Sequence, residues 1–168
     1  NYRVTNAILW ADVAHPINIG LHGDAESEKG EMIENLHFSD IDILEHDEDD
    51  RNYQGCMAFS VSDKNFVQNV TFENIRIDDF QEGQLFNLRV LFNSKYSNAP
   101  GRGIKNILFK NIYYNGTESN PSIIEGFDDK RQIEDIRFEN IVVNNKRIKS
   151  LEEGNIRVGK FTKNIILK

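Results

Sequence analysis

The sequence VQNVTFENIRI at Val67–Ile77 decides the fold. Apolar and polar side chains alternate on both sides of Asn69, which is typical of strands that bury one face. The alternation slips by one residue at Asn69 itself. Because asparagine tolerates the left-handed backbone region, we expect this residue to form a corner that redirects the chain and keeps its apolar side inward. The segment therefore predicts two short strands that meet at an asparagine.

Five further segments of the chain repeat this pattern. The three strong copies are IENLHFSDIDI, IKNILFKNIYY and IEDIRFENIVV, at residues 33–43, 104–114 and 133–143. Two weaker copies surround Asn6 and Asn164. The phenylalanine of the strong copies falls at positions 38, 72, 109 and 138, so the period is 34, 37 and then 29 residues. Repeats of this length are typical of solenoids, in which each unit stacks on the next.

The repeats predict an all-β fold, a right-handed parallel β-helix of about six coils that occupies residues 1–168 as one domain. Stacking would align the phenylalanines in the interior and the corner residues in one ladder. That ladder consists of Asn35, Asn69, Asn106 and Asp135. The third strand of each coil is expected in an apolar segment between copies. Those segments are Pro16–His22, Cys56–Ser62, Leu85–Val90 and Ser122–Phe127.

Two other folds fit this pattern less well. A leucine-rich repeat needs a period of about 20–29 residues and many more leucines than the ten in this chain. A β-sandwich gives no reason for one motif to recur at the same phase.

The composition argues against several classes of protein. The net charge is −7, whereas a nucleic-acid-binding protein gains much of its affinity from lysine and arginine on phosphates. No apolar run approaches the roughly 18–20 residues that a membrane-spanning helix needs. Cys56 is the single cysteine, so no internal disulfide is expected. The sequence begins at Asn1 with neither a start methionine nor a signal peptide, so we expect a segment of a longer chain.

The segments NVTFENI (69–75) and GIKNILFKNI (103–112) resemble the coil repeats of polygalacturonase-like glycoside hydrolases (glycoside hydrolase family 28) in the pectin-lyase-like superfamily. The resemblance implies a parallel β-helix that hydrolyses the glycosidic bonds of a polysaccharide with inversion. It also implies that this chain is the C-terminal part of an extracellular or periplasmic enzyme whose catalytic aspartates lie wholly or partly on preceding coils. The alternative is a non-catalytic β-helix that binds glycan or serves as a structural module, because this scaffold carries several functions.

Two motifs of that family have partial counterparts in this chain. Residues 22–23 match its Gly-His-Gly motif without the first glycine, and residues 89–91 match its Arg-Ile-Lys motif without the lysine. The resemblance thus makes His22, the neighbouring Asp24 and Arg89 the candidate catalytic residues. His22 would bind substrate or orient a carboxylate. Arg89 would hold a uronate carboxylate through two parallel hydrogen bonds.

The candidates for substrate binding are polar residues of the third strands that face away from the core. They are Asn18, Ser60, Asn87 and Glu125. An inverting hydrolase needs two carboxyl groups about 6.5–9.5 Å apart, and this column offers one. It therefore resembles the side wall of a sugar groove more than its reacting centre. As alternatives, Arg89 pairs with Glu125 or Asp63, and His22 is a polar residue at a strand end.

The remaining features concern ligands and partners. The acidic run Glu45–Asp50 lacks the alternating spacing of a calcium loop, so we expect a solvated loop and no metal or cofactor site. Trp10 and Tyr96 are candidates for stacking on a sugar, and a core or end-cap position is the alternative for Trp10. The expected partner is a polysaccharide or oligosaccharide, with no nucleic acid and no membrane. Self-association through an exposed N-terminal coil is also expected.

Overall fold

The computed structural model describes residues 1–24, 26–117 and 119–168, and the regular structure in these ranges is β-strand without any helix. The all-β class is therefore confirmed. The strands are, in chain order, β1 (Tyr2–Ala11), β2 (Ile17–Ile19), β3 (Met32–His46), β4 (Met57–Val61), β5 (Phe66–Ile77), β6 (Phe86–Val90), β7 (Gly103–Tyr114), β8 (Ser122–Glu125), β9 (Ile133–Val143), β10 (Lys146–Arg147), β11 (Ile156–Val158) and β12 (Thr162–Leu167).

The strands form two sheets, and the chain alternates between them. β1, β3, β5, β7 and β9 are successive neighbours in the first sheet, and β2, β4, β6, β8 and β11 are successive neighbours in the second. All of these pairings are parallel. β12 adds to β9 in parallel, and the short β10 turns back antiparallel to the end of β9. The predicted third strands correspond to β2, β4, β6 and β8, whereas β11 had no counterpart in the sequence analysis.

Left-handed corners bend the long strands of the first sheet. The corner predicted at Asn69 is confirmed by its φ of 54°. A second corner follows five residues later at Asn74, with a φ of 57°, where the alternation of the repeat slips again. The first corner ladder consists of Asn35, Asn69, Asn106, Asp135 and Asn164. The second corner ladder, which the sequence analysis did not predict, consists of Asn6, Asp40, Asn74, Asn111 and Asn140.

Side-chain hydrogen bonds connect the corners from strand to strand. In the first corner ladder, Asn69 Nδ2 donates to Asn35 Oδ1 at 3.2 Å, and Asn106 Nδ2 donates to Asn69 Oδ1 at 2.8 Å. In the second corner ladder, Asn111 Nδ2 donates to Asn74 Oδ1 at 2.9 Å. Asparagine suits both requirements, because it tolerates the left-handed backbone and carries a donor and an acceptor on one short side chain.

The two weak copies of the repeat contribute to different ladders. The pairing of β1 with β3 sets Asn6 level with Asp40, in the second corner ladder. The pairing of β12 with β9 sets Asn164 level with Asp135, in the first. The copy around Asn6 therefore aligns with the later half of the repeat and the copy around Asn164 with its earlier half.

A column of phenylalanine rings lies between the two sheets, as predicted. The ring centroids of Phe38 and Phe72 are 4.7 Å apart, those of Phe72 and Phe109 5.3 Å, and those of Phe109 and Phe138 5.1 Å. Phe86 of the second sheet meets Phe109 edge to face, with centroids 4.8 Å apart. Stacked and edge-to-face contacts of this kind add to the free energy gained by burying the rings. The core thus depends on the register of the strands, which brings equivalent rings together.

β1 forms an edge of the first sheet, and no other described strand pairs with its outer side. Tyr2, Ile8 and Trp10 are 76%, 69% and 73% exposed. Trp10 therefore lies on the surface and not in the core. An unpaired edge with apolar side chains favours strand pairing with another chain, and the expected self-association stays a prediction.

The interruption of the first corner ladder at Asp135 gives a prediction about stability. The Asp135 carboxylate accepts a hydrogen bond from Asn164 Nδ2 at 2.9 Å but has no proton to donate to Asn106. We expect Asp135→Asn to supply that donor and to raise the free energy of unfolding by about 0.5–1.5 kcal/mol. Its exposed Lys105 neighbour, with Nζ 4.0 Å from the carboxylate, contributes little.

Urea denaturation measures this effect. Asn69→Asp is the matched control, because it removes a donor from an intact part of the same ladder and should lower the stability. The ladder account is wrong if Asp135→Asn is no more stable than the parent chain.

Candidate functional site

A groove of about 820 Å³ lies among three loops that follow strands β2, β3 and β6. Leu21 and His22 line it after β2, residues of the 48–53 segment line it after β3, and the 91–97 segment lines it after β6. Arg89 of β6 also contributes to the lining. We call this feature the loop groove. Its volume falls within the range of about 300–1,000 Å³ that is typical of ligand sites.

Polar side chains in β6 and just before it hold the wall of the loop groove that follows β3. Arg89 Nη1 donates to both the backbone oxygen and Oδ1 of Asn52, each at 3.1 Å. Asn87 Nδ2 donates to the backbone oxygen of Gln54, and Gln84 Nε2 donates to that of Arg51 at 2.9 Å. These hydrogen bonds to three backbone oxygens of one loop fix its path across the second sheet.

The acidic residues of this wall also hold their own loop. Glu48 Oε1 accepts a hydrogen bond from the Asp50 backbone N–H at 3.0 Å, and Asp50 Oδ1 accepts one from the Asn52 N–H at 2.9 Å. Each carboxylate uses one oxygen in this way, and both residues line the groove. The acidic run therefore forms part of the groove wall, and two of its carboxylates line the groove.

Aromatic rings supply the apolar part of the loop groove. Tyr53 is half-buried, whereas Phe92 and Tyr96 are 45% and 56% exposed. The backbone N–H groups of Tyr96 and Ser97 both donate to the Asn93 carbonyl at 2.9 Å, which folds this loop into a compact turn. Partly exposed rings with polar neighbours are suited to stacking on the apolar face of a sugar.

Of the predicted catalytic residues, the structure brings two together. His22 and Arg89 both line the loop groove, and their roles toward a ligand stay predictions. Asp24 is exposed and lies outside the lining, where its Oδ1 accepts hydrogen bonds from the backbone N–H groups of Glu26 and Ser27 at 3.1 and 3.2 Å. Asp24 thus acts as the acceptor of a turn.

The predicted substrate-binding residues lie beside and beneath the loop groove. Ser60 and Asn87 are 2% and 1% exposed, so a ligand would have little access to them. Asn18 Oδ1 accepts a hydrogen bond from the Ser60 N–H at 3.3 Å. Glu125 is half-buried and lies level with Arg89 on the next strand of the second sheet. None of these four side chains lines the groove itself.

Sequence reasoning missed the groove roles of Glu48, Asp50, Tyr53 and Phe92. They lie in loops without periodicity, and a cluster of acidic residues followed by a tyrosine was the available signal. Tyr96 was singled out as an aromatic candidate, and it does line the groove. Among the described residues, no three His, Cys, Asp or Glu side chains come together in a way that could hold a metal ion.

A pair of histidines supports Tyr53 from beneath. His46 is fully buried, its Nε2 accepts a hydrogen bond from the Gly55 N–H at 3.0 Å, and its Nδ1 therefore donates to the Ala14 carbonyl at 2.9 Å. This arrangement requires the neutral ring. The His15 ring meets Tyr53 edge to face with centroids 4.2 Å apart, and within the described ranges its buried Nε2 has no hydrogen-bond partner. Burial, together with the nearby His46, lowers the pKa of His15 to about 4.

The histidine pair predicts that stability depends on pH. The pKa of His15 lies near 4 in the folded chain and near 6.5 when unfolded, so the unfolded state binds the extra proton between these values. Stability should therefore fall as the pH falls from about 6.5 to about 4, by up to ~1.4 kcal/mol per pH unit for each such proton. Burial also lowers the pKa of His46, which acts in the same direction.

Urea unfolding midpoints between pH 4 and pH 7.5 measure this dependence. His15→Leu should make the dependence less steep, and His22→Gln, at an exposed histidine, is the matched control. An equally steep dependence in His15→Leu would exclude the proposed role of His15.

Comparison with known proteins finds no family model, no curated protein and no solved structure that matches this chain. Within the described residues, no helix is both long and apolar enough to span a membrane. The groove and its residues are therefore the basis for any statement about function.

Proposed function

We propose that this chain is a right-handed parallel β-helix of about six coils whose loop groove binds a carbohydrate chain. The alternation of successive strands between two parallel sheets supports the first part, and parallel crossover connections are right-handed in nearly all proteins. Six copies of the repeat contribute β1, β3, β5, β7, β9 and β12, which supports the number of coils.

The composition of the loop groove supports carbohydrate binding. Three aromatic residues, Tyr53, Phe92 and Tyr96, line the same groove as carboxylate, amide and guanidinium groups. A sugar offers apolar C–H faces to such rings and hydroxyl groups to such acceptors and donors. This coincidence of exposed rings and hydrogen-bonding groups in one open groove is the observation that carries the proposal.

Hydrolysis of a glycan, as in the polygalacturonase-like enzymes, is the second candidate function. Glu48 and Asp50 are the carboxylates that line the loop groove, beside His22 and Arg89. An inverting hydrolase needs one carboxyl group as acid and another as base. Each of these two carboxylates also accepts a backbone hydrogen bond in its own loop, so we place binding first and hydrolysis second.

A binding screen tests the proposal. The chain is run in native gels, each of which contains one soluble polysaccharide. Where a polysaccharide slows its migration, calorimetry with the corresponding oligosaccharides measures the affinity. We expect Tyr96→Ala to weaken binding roughly two- to tenfold, since an aromatic contact of this kind contributes about 0.5–1.5 kcal/mol.

Tyr113→Ala is the matched control, because Tyr113 is also an exposed tyrosine but lies outside the groove. The proposal fails if no polysaccharide binds, or if Tyr96→Ala and Tyr113→Ala bind alike. Assays for new reducing ends on the same panel test the hydrolase, and unchanged chain lengths would leave binding as the function.

A further inference from the structure

The charges that line the loop groove restrict the kind of sugar it can take. Two carboxylates, those of Glu48 and Asp50, line it together with one guanidinium, that of Arg89. The rest of the acidic run Glu45–Asp50 lies in the same loop and adds further negative charge. An anionic ligand would therefore meet more negative than positive side chains at this wall.

The single guanidinium of the lining is partly engaged within the protein. Arg89 Nη1 donates to two oxygens of Asn52, so this nitrogen of the guanidinium already binds the wall of the groove. Glu125 lies level with Arg89 on the next strand. A uronate carboxylate is held best by a guanidinium that presents two free parallel N–H groups. Arg89 therefore positions the 48–54 loop, and its one positive charge does not balance the two carboxylates of the lining.

No lysine is among the described residues that line the loop groove, although one lies beside it. Lys95 lies next to the groove residue Tyr96, and its Nζ is 4.7 Å from the centroid of the Tyr96 ring. The ammonium group thus lies over one face of that ring, where the π-electrons attract it.

From these contacts we infer that the loop groove selects uncharged sugar chains and discriminates against polyuronates. This inference rests on the proposed carbohydrate binding and names the substrate class of the same site. Glu48 and Asp50 each have a second carboxylate oxygen that can accept a hydrogen bond from a sugar hydroxyl. A uronate at the same position replaces that attraction with repulsion between like charges.

Competition between oligosaccharides of equal length tests the inference. The probes are neutral gluco-, xylo- and manno-oligosaccharides and oligogalacturonides, measured by calorimetry at low and at high salt. We expect the best neutral probe to bind at least about fivefold more tightly than the oligogalacturonide, which is the effect of one like-charge pair at close range in water. Added salt should reduce the difference in affinity between the two probes, because it screens the charges.

The double variant Glu48→Gln/Asp50→Asn tests the cause of the selectivity. Glutamine and asparagine keep the oxygen acceptors for the Asp50 and Asn52 N–H groups, so the loop is expected to retain its fold. The preference for the neutral probe should fall at least about fivefold. Asp129→Asn/Glu152→Gln changes the net charge equally at exposed sites outside the groove, and it should retain the preference.

The possible outcomes separate this inference from the proposed function. If no probe of either class binds, the proposed function fails together with the inference. If the oligogalacturonide binds as tightly as the neutral probes or more tightly, carbohydrate binding stands and the inference is overturned. A preference that survives unchanged in Glu48→Gln/Asp50→Asn would also overturn it, because the selectivity would not come from these carboxylates.

Discussion

The structure depends on one backbone constraint, the left-handed corner that recurs at equivalent positions of stacked strands. Residues other than glycine enter this region at a cost, which is smallest for asparagine and aspartate. The corners at Asn69 and Asn74 bend β5 twice within a few residues, and the neighbouring strands bend at the same levels. Since each corner must lie over the next, the strands have a single favourable register.

The register set by the corners determines the core and the position of the loops. A slip of one residue would move the phenylalanines out of the interior. It would also break the side-chain hydrogen bonds of both corner ladders. With the register fixed, the loops that leave the ends of β3 and β6 meet at the same side of the second sheet. Arg89 and Asn87 then reach backbone oxygens of the 48–54 loop and set the wall of the groove. The groove is thus a consequence of the stacking.

The sequence is informative where the structure is periodic. The corner at Asn69, the phenylalanine column and the short strands β2, β4, β6 and β8 could all be predicted, because each recurs with the repeat. The alternation also slips at Asn74, and this slip indicates the second corner ladder. The sequence analysis used only the slip at Asn69. His22 and Arg89 were found through their motif likeness and their positions at or near a short strand. The positions of Tyr53 and Glu48 in the groove could not be predicted. The path of their loop depends on hydrogen bonds from residues distant in the sequence, such as Gln84.

The central claim is that the register set by the corners forms the loop groove and that this groove binds carbohydrate. Hydrogen exchange with and without a bound oligosaccharide tests it. The account predicts that a neutral oligosaccharide slows amide exchange in the 48–54 and 91–97 segments and leaves the exposed β1 edge unchanged. Protection at β1, or no protection in either loop at saturating ligand, would contradict it.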